Sequence, residues 1–403
     1  MKFNLLFIIL LICGLTGNGW CQTPKSAPVL KPSTAIKESV PAWPKEIVKM
    51  YDTVRLVFIG DVMQHGVQIK NALVPGKDPQ DGDSYDYTST FKYIRERLEQ
   101  ADIAVANMEF TLGSYPYSGY PQFSAPDAIA IQAKEDGIDL FQLANNHILD
   151  KGRKGLTRTL QIYDSIGVPY TGVYRDSCRE AIENPVIIEA KGVKTAFINF
   201  TYGTNGIPVP TPYVVNLMDS SRVKAAISRA KERGADIIVA LPHWGNEYHL
   251  NPSSEQRKWA DMLFRNGVRI IVGTHPHVPQ SGEIHLTGSH HPRRYGEVEK
   301  MVFYSLGNYI SNQSSPEYTQ LGMLVKIEII KNNISGEVTL SMPGYEYLWC
   351  FRKGELEEHY TVVPVEEHIE KKRPSEAKNN IHYTRMVNTF EYIRSLKPIK
   401  IIK

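Results

Sequence analysis

From residue 54 onward, short apolar runs alternate with helical patterns, and this alternation limits the fold more than any other feature of the chain. The runs lie at 54–60 (VRLVFIG), 103–107 (IAVAN), 140–144 (LFQLA), 196–200 (AFINF), 237–241 (IIVAL), 269–273 (RIIVG) and 301–306 (MVFYSL). Runs of this length and composition are expected of strands covered on both faces. Helical periodicities occupy 91–100, 128–136, 156–166, 222–233 and 254–266. Strand, helix, strand in that order implies parallel pairing through crossover helices, hence an α/β layered fold. After residue 320 the pattern changes to 323–330, 337–342 and 345–349, separated by Asn332-Asn333 and Pro343-Gly344. These read as antiparallel strands that complete the sheet system. The domain so defined spans 53–350, and the charged stretch 351–403, helical only around 383–395, is read as a C-terminal extension.

The first 21 residues read as a signal peptide. Lys2 precedes an apolar run at 5–15, shorter than the roughly 20 residues of a membrane helix. Gly19 and Cys21 suit cleavage before Gln22; lipid attachment to Cys21 is the alternative, with Trp20 a poor neighbour for it. Residues 22–52 carry Pro24, Pro28, Pro32, Pro41 and Pro44, so they form an extended tether. The expected location is therefore outside the cytoplasm, periplasmic or at the cell surface. Four cysteines, at 13, 21, 178 and 350, form no C-x-x-C pair, which excludes a zinc ribbon or a disulfide scaffold. With the first two removed, Cys178 and Cys350 either pair or remain as buried thiols. A net charge of +3 over 403 residues supplies no general field for polyanions. No nucleic-acid partner is expected, and any anionic partner must be met by a local patch.

Polar residues collect where the strands end. Asp61 follows the first run, Glu109 the second, Asn145, Asn146 and His147 the third, His243 the fifth, and His275 and His277 the sixth. Ligands of open α/β sheets bind beyond the carboxyl ends of the strands. Singly, each residue has an ordinary reading: helix cap, turn or surface imidazole. Together they give a rim of carboxylate, carboxamide and imidazole without thiolate, the ligand set of a Zn, Mn or Fe hydrolytic centre.

Six ordered blocks carry a resemblance. They are Gly60-Asp61-Val62-Met63, Asn107-Met108-Glu109, Ala144-Asn145-Asn146-His147 with Asp150-x-Gly152, Pro242-His243-Trp244-Gly245-x-Glu247, Gly273-Thr274-His275-Pro276-His277-Val278-x-Gln280 and Ser305-Leu306-Gly307-Asn308. Over roughly residues 54–315 the chain resembles the CapA family of bacterial poly-γ-glutamate capsule-synthesis proteins, itself similar to calcineurin-like metallophosphoesterases. The resemblance implies a metallophosphoesterase-like layered sandwich, with helices flanking two packed mixed sheets. It implies Asp61, Glu109, Asn146, His243, His275 and His277 as metal ligands. Asn308 and Gln280 are implied as rim residues that contact substrate.

One position departs from that pattern: where metallophosphoesterases carry a histidine two residues after the first aspartate, this chain has Met63, a soft thioether unsuited to a hard ion. One tight ion and a second that is weak or absent are therefore expected, with His65 as a substitute ligand to be considered. His147 would protonate a leaving group. Asp150 either orients His147 or caps the next helix. Glu247 is a general base, a holder of a substrate amine, or a surface residue. Lys151, Arg153 and Lys154 either meet an anionic substrate, with Arg153 the named contact, or form a solvated charged turn. His290, His291, Arg293 and Arg294 carry the same two readings. Two functions follow: a metal-dependent hydrolase or transferase acting on an anionic envelope polymer such as poly-γ-glutamate, through a phosphoester or γ-glutamyl amide, or a non-catalytic accessory that holds the polymer for a membrane synthesis complex. The chain has no G-x-x-x-x-G-K-[ST] loop, so an ATP-driven ligase is not expected.

Overall fold

The computed structural model of the protein describes residues 49–288, 296–371, 379–396 and 398–402. The expected signal peptide, nearly all of the tether, Cys13, Cys21, and the group His290, His291, Arg293 and Arg294 lie outside the described residues.

In β1 (Tyr51–Val62), Val54, Leu56 and Phe58 face one apolar core and Val57 and Ile59 face another, because successive strand side chains point to opposite faces. β2 (Ile103–Met108), β3 (Leu140–Gln142) and β4 (Tyr170–Thr171) follow in parallel pairing. The intervening helices are α1 (Gly66–Ala72), α2 (Thr88–Phe91), α3 (Arg95–Glu99), α4 (Ala128–Glu135) and α5 (Gly152–Ile166). They cover the outer face of this layer through Ile69, Phe91, Leu98, Ile129 and Leu160. A two-stranded ribbon joins β5 (Val173–Tyr174) to β8 (Val214–Val215), and α6 (Ser177–Glu183) precedes the second layer.

That layer contains β6 (Val186–Ala190), β7 (Val193–Thr201), β9 (Ile237–His243), β10 (Ile270–Val272), β11 (Gly282–Leu286) and β12 (Val298–Phe303). β7, β9, β10 and β12 pair in parallel, with α7 (Ser220–Glu232) and α8 (Ser254–Arg265) packed outside through Val223, Ile227, Ala260 and Leu263. β13 (Asn308–Ile310) lies parallel to β1, and β14 (Leu321–Asn332) lies antiparallel to it. β14 also pairs with β15 (Val338–Leu340), which reaches β12. The two expected sheets are thus one continuous sheet folded over itself. Its inner faces meet in one core, with Phe58, Val105 and Leu140 opposite Phe197, Val239 and Val272.

Four further expectations change. The helix at 91–100 is split into α2 and α3, and the turn between them lets Phe91, Ile94 and Leu98 all enter the core. The strand at 140–144 ends at Gln142: the Leu143 amide still donates to Thr171 O of β4 at 3.0 Å but is shared with Asn199 Oδ1 at 3.1 Å, and the Ala144 amide donates to Asn199 Oδ1 at 2.7 Å. The stretch 351–403 is no appendage. β16 (Gly344–Phe351) pairs with β17 (Thr361–Pro364), α9 (Val365–Lys371) follows, and α10 (Ile381–Ser395) buries Met386, Phe390 and Ile393 in the inner core. β18 (Ile399–Ile402) then adds a parallel strand to β11. Cys178 is exposed and Cys350 buried, both as free thiols, so the readings of a bonded pair and of two buried thiols both give way.

Candidate metal centre

The centre is built where both layers end. Asp61 sits opposite Asn107 of β2 on one side and Asn308 of β13 on the other. Glu109 follows β2, its amide donating to Val62 O at 3.0 Å. His243 closes β9, beside Thr274. His275 and His277 follow β10 with φ of +97° and +59°, a region that non-glycine residues rarely occupy and that persists where surroundings enforce it. Part of that enforcement is a relay of amides. Gln256, in the capping box of α8, donates to Gln280 Oε1 at 2.7 Å, and Gln280 Nε2 donates to His249 O at 2.7 Å. This ties the loops after β9 and β10 to one helix terminus.

Three groups of side chains offer ligand atoms that lie within 4.8 Å of one another: Glu109, His243 and His275; Asp61, Glu109 and His277; and Glu247, His275 and His277. All but Glu247 are buried. Glu109 Oε1 lies 3.7 Å from both His243 Nε2 and His277 Nε2, too far for hydrogen bonds. Two atoms each bound to one ion at about 2.1 Å are at most about 4.2 Å apart, so both separations suit a shared cation. His243 Nε2 is 2.8 Å from Asn146 Oδ1, and its Nδ1 is 2.9 Å from Thr274 Oγ1. His277 Nδ1 is 3.1 Å from both Asp61 Oδ2 and Asn308 Oδ1, which leaves Nε2 as the ligand nitrogen.

The electrostatics suit a cation. Burial raises the Glu109 carboxyl well above the usual carboxylate range, and the adjacent Asp61 adds to that shift. Burial also pushes His243 and His275 well below the ordinary imidazole value, so both are neutral and present lone pairs. Among the described residues, the ion pairs of Asp61 and Glu109 involve only histidines. Glu109 Oε1 and His275 Nδ1 are buried without a hydrogen-bond partner. Buried charges and orphaned polar atoms are costly unless paired or ligated, and a divalent ion would satisfy both groups.

His147 Nδ1 lies 2.8 Å from Asp150 Oδ2, which also accepts from the Phe123 amide at 2.7 Å. Asp150 therefore orients His147 and does not cap the next helix, whose N-cap is Lys151. Met63 is buried in the outer apolar core and accepts from Ser311 Oγ at 3.6 Å. His65 is no substitute ligand: it belongs to none of the three ligand groups among the described residues, and its Nδ1 lies 3.0 Å from Gln68 Oε1 and accepts from the Asn312 backbone amide at 3.3 Å. Two further expectations are corrected. The Gln280 amide is committed to the loop scaffold, and Asn308 orients His277 while donating to Gln313 and Thr319. Arg153 is exposed on the first turn of α5.

The sequence reading left out Asn107. Its Nδ2 donates to Asp61 Oδ1 at 2.8 Å and to Glu109 Oε2 at 3.2 Å, and it lies 3.4 Å from His243 Nδ1. Its place two residues before Glu109, facing the same way along the strand, was the available signal. Tyr202, 4.4 Å from the His275 ring, and Asn205, whose Nδ2 lies 3.5 Å from His147 Nδ1, come from a loop without periodicity.

The chain is 27% identical over 269 residues to the capsule biosynthesis protein CapA of Bacillus anthracis, covering 64% of this chain and 60% of that protein. It is 29% identical over 303 residues to the PGA biosynthesis protein CapA of Bacillus subtilis, covering 71% of this chain and 70% of that protein. The calcineurin-like phosphoesterase YfkN of Bacillus subtilis aligns at 16% identity over 85% of this chain and 100% of that one, with a TM-score of 0.43. The model for bacterial capsule synthesis protein PGA_cap matches residues 55–313, a span that opens in β1 and closes beyond β13 and so encloses every ligand of the centre; the chain belongs to that family.

Proposed function

We propose that this protein is an exported, metal-dependent hydrolase or transferase that acts on an anionic capsule polymer, with poly-γ-glutamate as the substrate suggested by its relatives. The observation that carries the reading is the orphaned Glu109 Oε1, set 3.7 Å from two imidazole nitrogens in a fully buried position. Asp61, Glu109, Asn146, His243, His275 and His277 would hold the metal, of the Zn, Mn or Fe type. When bound, it supplies Lewis acidity toward a phosphoryl or carbonyl oxygen. Asp150 holds the His147 ring so that Nε2 faces away from the carboxylate, the orientation needed to give a proton to a leaving group. Glu247, exposed beside His275 and His277, is the group that meets substrate from solvent. Metal analysis of the purified protein, then hydrolysis assays on a chromogenic phosphodiester and on poly-γ-glutamate with wild type and His147→Ala, tests the reading.

A second reading is favoured by Met63, which turns into the core where metallophosphoesterases present a ligand. In that reading the centre holds a polymer chain for membrane partners without turnover. Metal-dependent polymer binding with no hydrolysis of either substrate would select it.

A further inference from the structure

A cavity of about 350 Å³ lies between α1 and the turn that joins β16 to β17. It is lined by Lys70, Lys353, Asn71, Asn312, Tyr360 and Val67, with no acidic side chain among them. Lys70 comes from the last turn of α1 and Lys353 from the β16–β17 turn; both are exposed. Among the described residues neither ammonium has a carboxylate partner, whereas Lys326 and Lys331 on β14 are each paired with one. The Tyr360 hydroxyl donates to Asn312 Oδ1, so Asn312 keeps its Nδ2 as a donor.

The cavity is coupled to the centre through a short chain of contacts. The Asn312 amide donates to His65 Nδ1 at 3.3 Å. The His65 ring packs edge-on against Phe123 at 5.2 Å, and Phe123 packs edge-on against His147 at 4.6 Å. One imidazole and one phenyl ring thus separate it from the proposed proton donor.

We propose that this cavity is an anion subsite that takes side-chain carboxylates of a γ-linked glutamate chain whose scissile segment lies at the metal centre. The inference rests on the polymer reading above and names where that polymer is held. The centre is rich in carboxylates, with Asp61, Glu109, Asp150 and Glu247 close together, so it repels a polycarboxylate except at the metal. Two ammonium groups and an amide donor a short distance away supply the missing attraction. A repeating anion engages both places at once, and the second contact is then intramolecular. Lysines suit this task, since a mobile point charge accepts carboxylates in varied orientations.

The test uses the full chain, metal-loaded, with a decamer of γ-linked glutamate as probe and its dissociation constant read by calorimetry at low and high salt. Lys70→Glu/Lys353→Glu should weaken binding at least about tenfold at low ionic strength and much less in about 1 M salt, where the Debye length is about 3 Å. Its metal content should equal that of wild type. If wild type binds the decamer and the double variant binds it equally, the subsite is overturned and the polymer reading stands. If wild type does not bind the decamer at either salt, both fall. If inorganic polyphosphate binds as tightly and competes, the cavity is a general polyanion track and the carboxylate assignment is overturned.

Discussion

Glu109 Oε1 and His277 Nε2 face each other across 3.7 Å, too far for a hydrogen bond, in two buried side chains. A cation held between them would remove the cost of burying an unpartnered carboxylate oxygen. Glu109 Oε1 stands at the same distance from His243 Nε2, so a single ion held by Glu109, His243 and His275 should survive dialysis, and His243→Ala should lose it. Met63→His should not create a second tight site, because the new imidazole would enter an apolar cluster; it should instead lower stability by about 1–3 kcal/mol. Metal analysis and chemical denaturation check both expectations.

Asn107→Ala removes a donor shared by Asp61 and Glu109. Groups that orient metal ligands are worth about 10–100-fold in affinity, so metal titration should show a loss of that size. Unchanged affinity would reduce Asn107 to a scaffold residue.

His147→Ala should leave the metal content near wild type, since His147 is absent from all three ligand groups. Turnover of a chromogenic phosphodiester should fall by about 10²-fold or more, the usual contribution of a general acid. Asp150→Asn should show a smaller fall with the same metal content.

His65 gives a pH signature. Burial pushes it down to about 4, so below the ordinary value of 6.5 the unfolded chain takes a proton that the folded chain refuses. Stability is therefore complete above pH 6.5 and declines as pH falls toward 4, by about 3 kcal/mol over the full window. Urea unfolding of chelated protein at pH 6.5 and 4.5 should show a shallower pH dependence for His65→Gln than for wild type.

Much of this architecture is legible in the chain because strand ends and metal ligands coincide. Asp61, Glu109, His243 and His275 each stand at or just beyond a short apolar run, and that position alone places them on one rim. What escaped depends on contacts between distant segments. Asn199 takes the Ala144 amide at the end of β3 and shares that of Leu143 with β4, and Gln280 is consumed by Gln256 and His249. Neither has a local pattern. The place of the C-terminal helix is hidden for another reason: Met386, Phe390 and Ile393 recur at helical spacing, but the inner core they enter is built by distant strands.

The folded-over sheet has a kinetic corollary. His277 meets Asp61 across 216 residues of chain and His243 meets Asn146 across 97. Contacts of such separation close late in folding, after the local turns and helices have formed. An ion that recognises only the finished pocket cannot hasten that search, so it acts on the reverse path and slows escape from the native state. Lifetime under proteolysis, more than refolding speed, then becomes the property that metal supply controls.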